Sequence, residues 1–339
     1  MGRTVTAPPP TACVPIDHYS AVHVAAETAR ALARDCALPA PLPDQAAVLA
    51  SELGSNLAKH AVNGALYVQR TPLGDGIEIL AADRGPGMPE VGRCLADGYT
   101  TTDTLGAGLG AVGRIATTFT IRSAPADGTF ACARLTPSAR RADDLHGLGA
   151  ICLPAAGERL SGDACAVADG PDTRTALVVD GLGHGPQAAE AAQLAVRTFR
   201  REPHGPLPDI LHAVHRALRH TRGAAVALLR LHPDRAEYCG VGNVRALVVT
   251  PDRVHHQLTG QPGVAGLNLP RAHPRELPME DGATAVLHTD GLDHRWTRTP
   301  PPFLLRLPPP LLVAALAHGH RRTRDDATVL AANRYQRPL

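Results

Sequence analysis

Two sets of residues have the types and spacing to do chemistry. In the C-terminal half, four acidic strings recur: Gly162-Asp163, Asp180-Gly181-Leu182-Gly183-His184-Gly185, Thr289-Asp290-Gly291 and Asp325-Asp326-Ala327-Thr328. Asp180 and Asp290 close apolar runs (Ala-Leu-Val-Val and Ala-Val-Leu-His-Thr), which places a carboxylate at a strand end, where it costs little to ionise. A lone Asp-Gly reads as a turn. Repetition at strand ends from separated parts of the chain points to convergence instead. Carboxylates gathered in this way repel one another unless hard divalent cations, which take oxygen ligands, sit among them.

The second set lies in the N-terminal half. Glu52 and Asn56 are four apart on a helix pattern, and Lys59 and His60 follow one turn later, which aligns a carboxylate, an amide and a cation along one face. Downstream, Asp83-Arg84-Gly85-Pro86-Gly87-Met88 ends a strand pattern, and Gly106-Ala107-Gly108-Leu109-Gly110 opens a helix. Backbone N–H groups and the dipole at a helix N-terminus favour phosphate.

The elements that must position these residues follow from apolar periodicity. Asp44 is the expected N-cap of a helix reaching about Val62, with Val48, Leu49, Leu53 and Leu57 as its apolar stripe. A strand over Gly76 to Asp83, a helix over Leu109 to Phe119, and strands over Phe119 to Ser123 and Thr129 to Leu135 complete the first region. Further on, strands are expected at Thr175 to Val179, Ala224 to Arg230, Arg245 to Val249 and Ala283 to His288. Helices are expected at Pro186 to Arg201 and Pro208 to Thr221, each with a proline suited to the first turn. Residues 1–15, with Pro8-Pro9-Pro10, read as a tail, 137–147 as an Arg-containing linker and 335–339 as a second tail.

The chain's 339 residues allow two cores. Its 34 Lys plus Arg against 32 Asp plus Glu are scattered, so nothing suggests a nucleic-acid footprint. No run of about 18 apolar residues exists, and Met1 to Thr11 lacks the apolar stretch of a signal peptide; the expectation is a cytoplasmic protein without a membrane role. Seven dispersed cysteines without a Cys-x-x-Cys pair read as reduced hydrophobes, not as a disulfide framework or zinc site. Only one of the basic residues, Lys59, is lysine.

The first region, about 16–136, resembles the GHKL nucleotide-binding family. Glu52 to Ala61 (E-L-G-S-N-L-A-K-H-A) matches its N box, Asp83 to Met88 its first glycine box and Thr104 to Gly110 its second. The compact form is most similar to bacterial switch kinases of the RsbT and RsbW type. The resemblance implies a mixed sheet covered by helices and a site for ATP with Mg²⁺. Asn56 would hold the Mg²⁺, Glu52 would act as general base or orient the attacking hydroxyl, and Asp83 with Thr129 would receive the adenine amine. Gly85 and Gly87 would let the chain approach the base, Gly108 and Gly110 would cradle phosphates, and Lys59 would neutralise phosphate charge. A solvated helix lysine is the competing reading of Lys59, and packing or hydrogen bonding that of His60.

The second region, about 148–334, resembles the SpoIIE-type, PPM-like serine/threonine phosphatases through the order G-D, D-G-x-G-H-G, T-D-G and D-D-x-T, with Cys239 to Asn243 similar to the family's central hairpin. The resemblance implies an α-β-β-α sandwich, so that the whole chain is α+β, and a site for two Mn²⁺ or Mg²⁺ ions. Asp163, Asp180, the Gly181 carbonyl, Asp290 and Asp325 would be ligands or hold bound waters, with Asp326 as the alternative to Asp325. His184 either orders the Gly-rich turn or supports the ligands from behind. Together the two resemblances imply a bifunctional partner-switching regulator. Its phosphatase would act on phosphoserine or phosphothreonine of a STAS-type anti-sigma antagonist, and its N-terminal domain would be a serine-kinase-like ATP binder. The alternatives are a GHKL domain that only binds ATP or a partner and gates the phosphatase, and an anti-sigma-like protein that sequesters a sigma factor.

Overall fold

The computed structural model describes residues 10–74, 76–88, 108–137, 145 and 147–335. The chain divides into two compact units, Thr11–His146 and Gly147–Leu339, the second taking Met1–Pro10 as well. Among the described residues no helix is long and apolar enough to cross a membrane.

In the first unit, α1 (Ser20–Asp35) buries Val22, Ala25, Ala29 and Ala33, a stripe at helical spacing whose small side chains let it lie close to α2 (Leu42–His60). From α2 the same core takes Ala46, Leu49, Ala50, Leu53 and Leu57. Val48 does not belong to this stripe; it is 43% exposed, because it lies on the outer face of the helix pair. Nor does Asp44 cap α2. The helix starts earlier, at Leu42 with Pro43 in its first turn, and Asp44 sits in that turn, where its carboxylate accepts from Arg30 Nε at 3.1 Å.

The helices cover one face of a five-stranded sheet of order β1-β2-β3-β5-β4, formed by β1 (Ala12–Pro15), β2 (Ala65–Arg70), β3 (Ile77–Ala82), β4 (Thr118–Ala124) and β5 (Gly128–Leu135). Every pairing in it is antiparallel, where the resemblance implied a mixed sheet. Residues 12–15, expected in a tail, form the edge strand β1 on β2. Four residues are too few for a periodic signal; backbone pairing, not pattern, holds them. Strand β3 is buried at all six positions, so its alternation separates two covered faces. On the face away from the helices Glu78 is fully buried and accepts from Arg134 Nε at 2.8 Å and Gln69 Nε2 at 2.6 Å, while Arg134 also donates to the Leu145 carbonyl at 2.7 Å. The helix α3 (Gly108–Ile115) ends before Phe119, which lies in β4.

The second unit has two five-stranded antiparallel sheets. One has the order β13-β10-β9-β8-β7, with β7 (Asp163–Asp169), β8 (Arg174–Gly181), β9 (Ala224–Leu231), β10 (Arg235–Val241) and β13 (Arg275–Pro278). The other has the order β12-β11-β14-β15-β6, with β6 (Leu148–Leu153), β11 (Arg245–Val249), β12 (Val254–Thr259), β14 (Thr284–His288) and β15 (Ala327–Asn333). Helices α4 (Pro186–Phe199) and α5 (Leu207–Ala217) pack their apolar faces on the first sheet. After the short α6 (Pro302–Leu305), α7 (Pro309–His320) covers β6 and β15. This is the expected α-β-β-α sandwich. Tyr335, expected in the terminal tail, is 7% exposed and donates to the Gly170 carbonyl at 3.0 Å. Burial pushes the thiols of Cys132 and Cys152 up to about 12, which suits inert packing groups. Cys13 is exposed on the edge strand.

Candidate active site: an acidic centre and a second group of motif residues

The acidic strings meet at one end of the second unit's sheets. Asp163 opens β7 and Asp180 nearly closes β8, and antiparallel pairing sets the two directly opposite one another. Asp163 is buried. Its Oδ2 accepts from Thr289 Oγ1 at 2.7 Å, and Thr289 Oγ1 in turn accepts from the Thr328 N–H at 2.9 Å, so β14 and β15 of one sheet reach the first strand of the other. Burial, then the Asp180 charge, holds the Asp163 carboxyl well above the usual aspartate range. Asp180 is pushed up to about 7, first by burial and then by Asp290, Asp325 and Asp326, with Asn243 pulling it back. Asp325 is raised by burial and by Asp290. Asn243, just beyond β10, donates to Asp290 Oδ2 at 2.8 Å.

Asp325 and Asp326 have different surroundings. Asp326 is buried, and its two oxygens accept from the Ala155 and Gly162 N–H groups, both at 2.8 Å, so it ties loops together. Asp325 is half-buried and accepts only from the next N–H within the described contacts, at 3.0 Å. The glycine of Thr289-Asp290-Gly291 is a matter of space: a Cβ there would stand 1.8 Å from the Asp326 carbonyl oxygen. His184 is exposed and faces Glu158 at 3.7 Å.

Among the described residues no three His, Cys, Asp or Glu side chains are drawn together closely enough to hold an ion as they stand. The donor set nevertheless fits a hard divalent cation: every group is an oxygen donor, and the carboxylates raise one another by uncompensated like charge.

The other predicted residues lie in the first unit. Glu52 and Asn56 are half-buried on α2, while Lys59 and His60 are exposed. Asn56 Nδ2 is buried without a partner, an orphaned polar atom in keeping with a polar ligand. Asp83 follows β3 directly, is 6% exposed, and accepts from the Gly85 N–H at 2.6 Å. Burial raises its carboxyl, with the Gly85 and Thr129 N–H groups pulling it back. Thr129 is held by Ser123, Oγ to Oγ1 at 2.9 Å, and Ser123 Oγ also accepts from the Met88 N–H at 2.7 Å. Gly87 has φ +73°, and a Cβ there would stand 2.1 Å from the Ala124 carbonyl. Gly108 and Gly110 open α3; Thr104 to Ala107 of the second glycine box lie outside the described residues.

The sequence reading missed Thr289 and Thr328 as the link between sheets, Asn243 as the donor to Asp290, and Ser123 as the support of Thr129. The neighbouring motifs pointed at the first three; nothing local marks Ser123.

Comparison with known proteins finds likenesses to both halves of the chain. A family model for Stage II sporulation protein E (SpoIIE) matches residues 171–335. Serine/threonine-protein kinase RsbT of Bacillus subtilis (strain 168) is 35% identical over 81 residues, 23% of this chain and 61% of that protein. Residues 171–335 are thus SpoIIE-like, and the N-terminal region is RsbT-like. The chain spans about 61% of the length of that curated relative. A solved structure described as "The bacterial stressosome: a modular system that has been adapted to control secondary messenger signaling" is 30% identical, covers 55% of this chain and 98% of its own, and has a TM-score of 0.50. A structure of RsbX in complex with magnesium is 22% identical over 54% of this chain and 92% of its own, with a TM-score of 0.45.

Proposed function

We propose that this chain is a metal-dependent protein serine/threonine phosphatase of the SpoIIE type acting in partner switching, with an ATP-binding, serine-kinase-like N-terminal domain. The observation that carries the reading is the pairing of Asp163 with Asp180, with Asp290 and Asp325 near enough to raise Asp180. Asp163, Asp180, the Gly181 carbonyl, Asp290 and Asp325 would hold two Mn²⁺ or Mg²⁺ ions, and Asp326, spent on two backbone N–H groups, would not. When bound, such ions supply charge neutralisation and a nucleophilic water at neutral pH. Thr289 fixes the Asp163 carboxylate, and Asn243 fixes that of Asp290. No covalent enzyme intermediate is needed, in keeping with the absence of a reactive cysteine motif.

In the N-terminal domain Asp83 would accept the adenine amine with Thr129 beside it, Asn56 would hold Mg²⁺ and Glu52 would act on the attacking hydroxyl. Lys59, Gly108 and Gly110 would face the phosphates, and Gly85 and Gly87 the base. The substrate is a phosphoserine or phosphothreonine protein, a STAS-type anti-sigma antagonist, and the compartment is the cytoplasm.

The test mixes the full chain with phosphorylated and unphosphorylated antagonist. Divalent-ion-dependent phosphate release, lost in Asp180→Asn, is the expected result, and release unchanged in that variant overturns the phosphatase. Phosphate incorporation lost in Glu52→Ala with nucleotide binding kept supports a kinase. No incorporation by the unmodified chain leaves an ATP-binding gate.

A further inference from the structure

The turn before β9 carries an arginine that neither the motifs nor the site above uses. The β8–β9 ladder pairs Asp180 with Ala225 and Gly181 with Ala224. It continues past the strand ends, since the Leu182 N–H donates to the Gly223 carbonyl at 3.0 Å. Arg222 therefore falls opposite Gly183, in the Gly-rich loop that follows Asp180. Its Nη1 lies 3.0 Å from where a Cβ on Gly183 would stand, so the guanidinium rests over the one loop residue that leaves it room.

The turn is fixed from both sides. Ala224 and Ala265 exchange backbone hydrogen bonds at 3.0 and 2.9 Å, and Gly223, at φ +83°, admits no Cβ because the Ala265 carbonyl would stand 2.7 Å from it. Arg222 is exposed, and no carboxylate among the described residues pairs with it. Arg295 and Arg322, by contrast, both face Asp293, at 3.1 and 3.9 Å. A guanidinium exposed over the loop that follows Asp180, with no described carboxylate paired to it, is available to another anion. Two exposed leucines flank it, Leu182 in the Gly-rich loop at 39% and Leu267 beyond Ala265 at 61%.

We propose that Arg222 binds the phosphoryl group of the substrate from the rim of the acidic centre, and that Leu182 and Leu267 favour an apolar residue beside the phosphoserine. The proposal rests on the phosphatase reading. A planar guanidinium can give two parallel N–H groups to phosphate oxygens, which an ammonium cannot.

The test uses the full-length protein with Mn²⁺, p-nitrophenyl phosphate and a phosphoserine peptide as substrates, and inorganic phosphate as ligand by calorimetry. Arg222→Ala should raise KM for both substrates and weaken inorganic phosphate by roughly 10- to 100-fold, the size of one charge-assisted contact, with kcat within about threefold. Arg222→Lys should recover part of the loss. Wild-type hydrolysis with KM and phosphate affinity unchanged in Arg222→Ala overturns the assignment and leaves the phosphatase standing. Phosphate binding that depends on Arg222 without hydrolysis of either substrate upholds the assignment and overturns the phosphatase. If the wild type neither binds nor hydrolyses, both fall.

Discussion

Asp163 and Asp180 stand directly opposite one another on adjacent antiparallel strands. Like charges so placed destabilise a sheet, and here burial and further acids add to the cost. Asp180→Asn should therefore stabilise the metal-free protein by about 1 kcal/mol, a rise of roughly 2–4 °C in Tm for a unit of this size. The same change should remove the stabilisation by Mn²⁺ or Mg²⁺, which for the unmodified chain is about 2.7 kcal/mol at a hundredfold excess over Kd. Melting curves with EDTA and with each ion measure both effects. A variant that is destabilised without metal and still gains the full shift would show that the pair is not an ion site.

A second pair is buried on the far face of the first unit's sheet. Glu78 and Arg134 are 0% and 5% exposed at the side chain, 2.8 Å apart. Removing one partner strands the other charge, so Glu78→Ala should cost about 3–5 kcal/mol. Exchanging both for apolar residues of similar volume should cost far less. Urea unfolding of the single and double variants decides it, and equal losses would mean that the packing of these side chains matters more than their charges.

What could be read from the sequence divides along physical lines. The acids at the ends of β8 and β14 were legible because apolar runs mark buried strands and the Asp-Gly that follows marks their ends. The prolines at the starts of α4 and α5 were equally informative, since they occupy first-turn positions that need no N–H. Strand β1 was not legible, because four residues at an edge carry no period. The distinction between Asp325 and Asp326 depends on the Ala155 and Gly162 N–H groups, more than 160 residues away in the chain. Local sequence holds no record of such partners. The same is true of the Thr289 bond to Asp163, which joins two sheets.

Lys59 is exposed one turn beyond Asn56, and it is the single lysine of the chain. An ammonium is a compact point charge and a guanidinium a planar fork, so the two are not equivalent beside a triphosphate. Lys59→Arg should weaken ATP binding or slow its turnover by about threefold to tenfold, on the order of 1 kcal/mol. Titration with a fluorescent ATP analogue measures the first and phosphate incorporation the second. Unchanged affinity and transfer would mean that Lys59 is an ordinary solvated helix residue.

Asp83 gives the proposed adenine site a pH dependence of defined sign. An ionised carboxyl accepts from the adenine amine more strongly than a protonated one, and burial raises the Asp83 carboxyl above an ordinary aspartate, with Gly85 and Thr129 limiting the rise. Preference for ATP over GTP should therefore hold at neutral pH and fall as the pH drops, beginning above the pH at which an exposed aspartate, with a pKa of about 3.9, would protonate. Taking the ratio of the two affinities cancels the protonation of the phosphates, which they share. Stability should move in the opposite direction: a raised carboxyl binds its proton more tightly in the folded state, so this group's contribution is largest at low pH and is lost as the pH rises through its folded value. Asp83→Asn should flatten both profiles, because the amide does not titrate. A wild-type ATP preference with the same pH profile as that of Asp83→Asn would remove Asp83 from the adenine site.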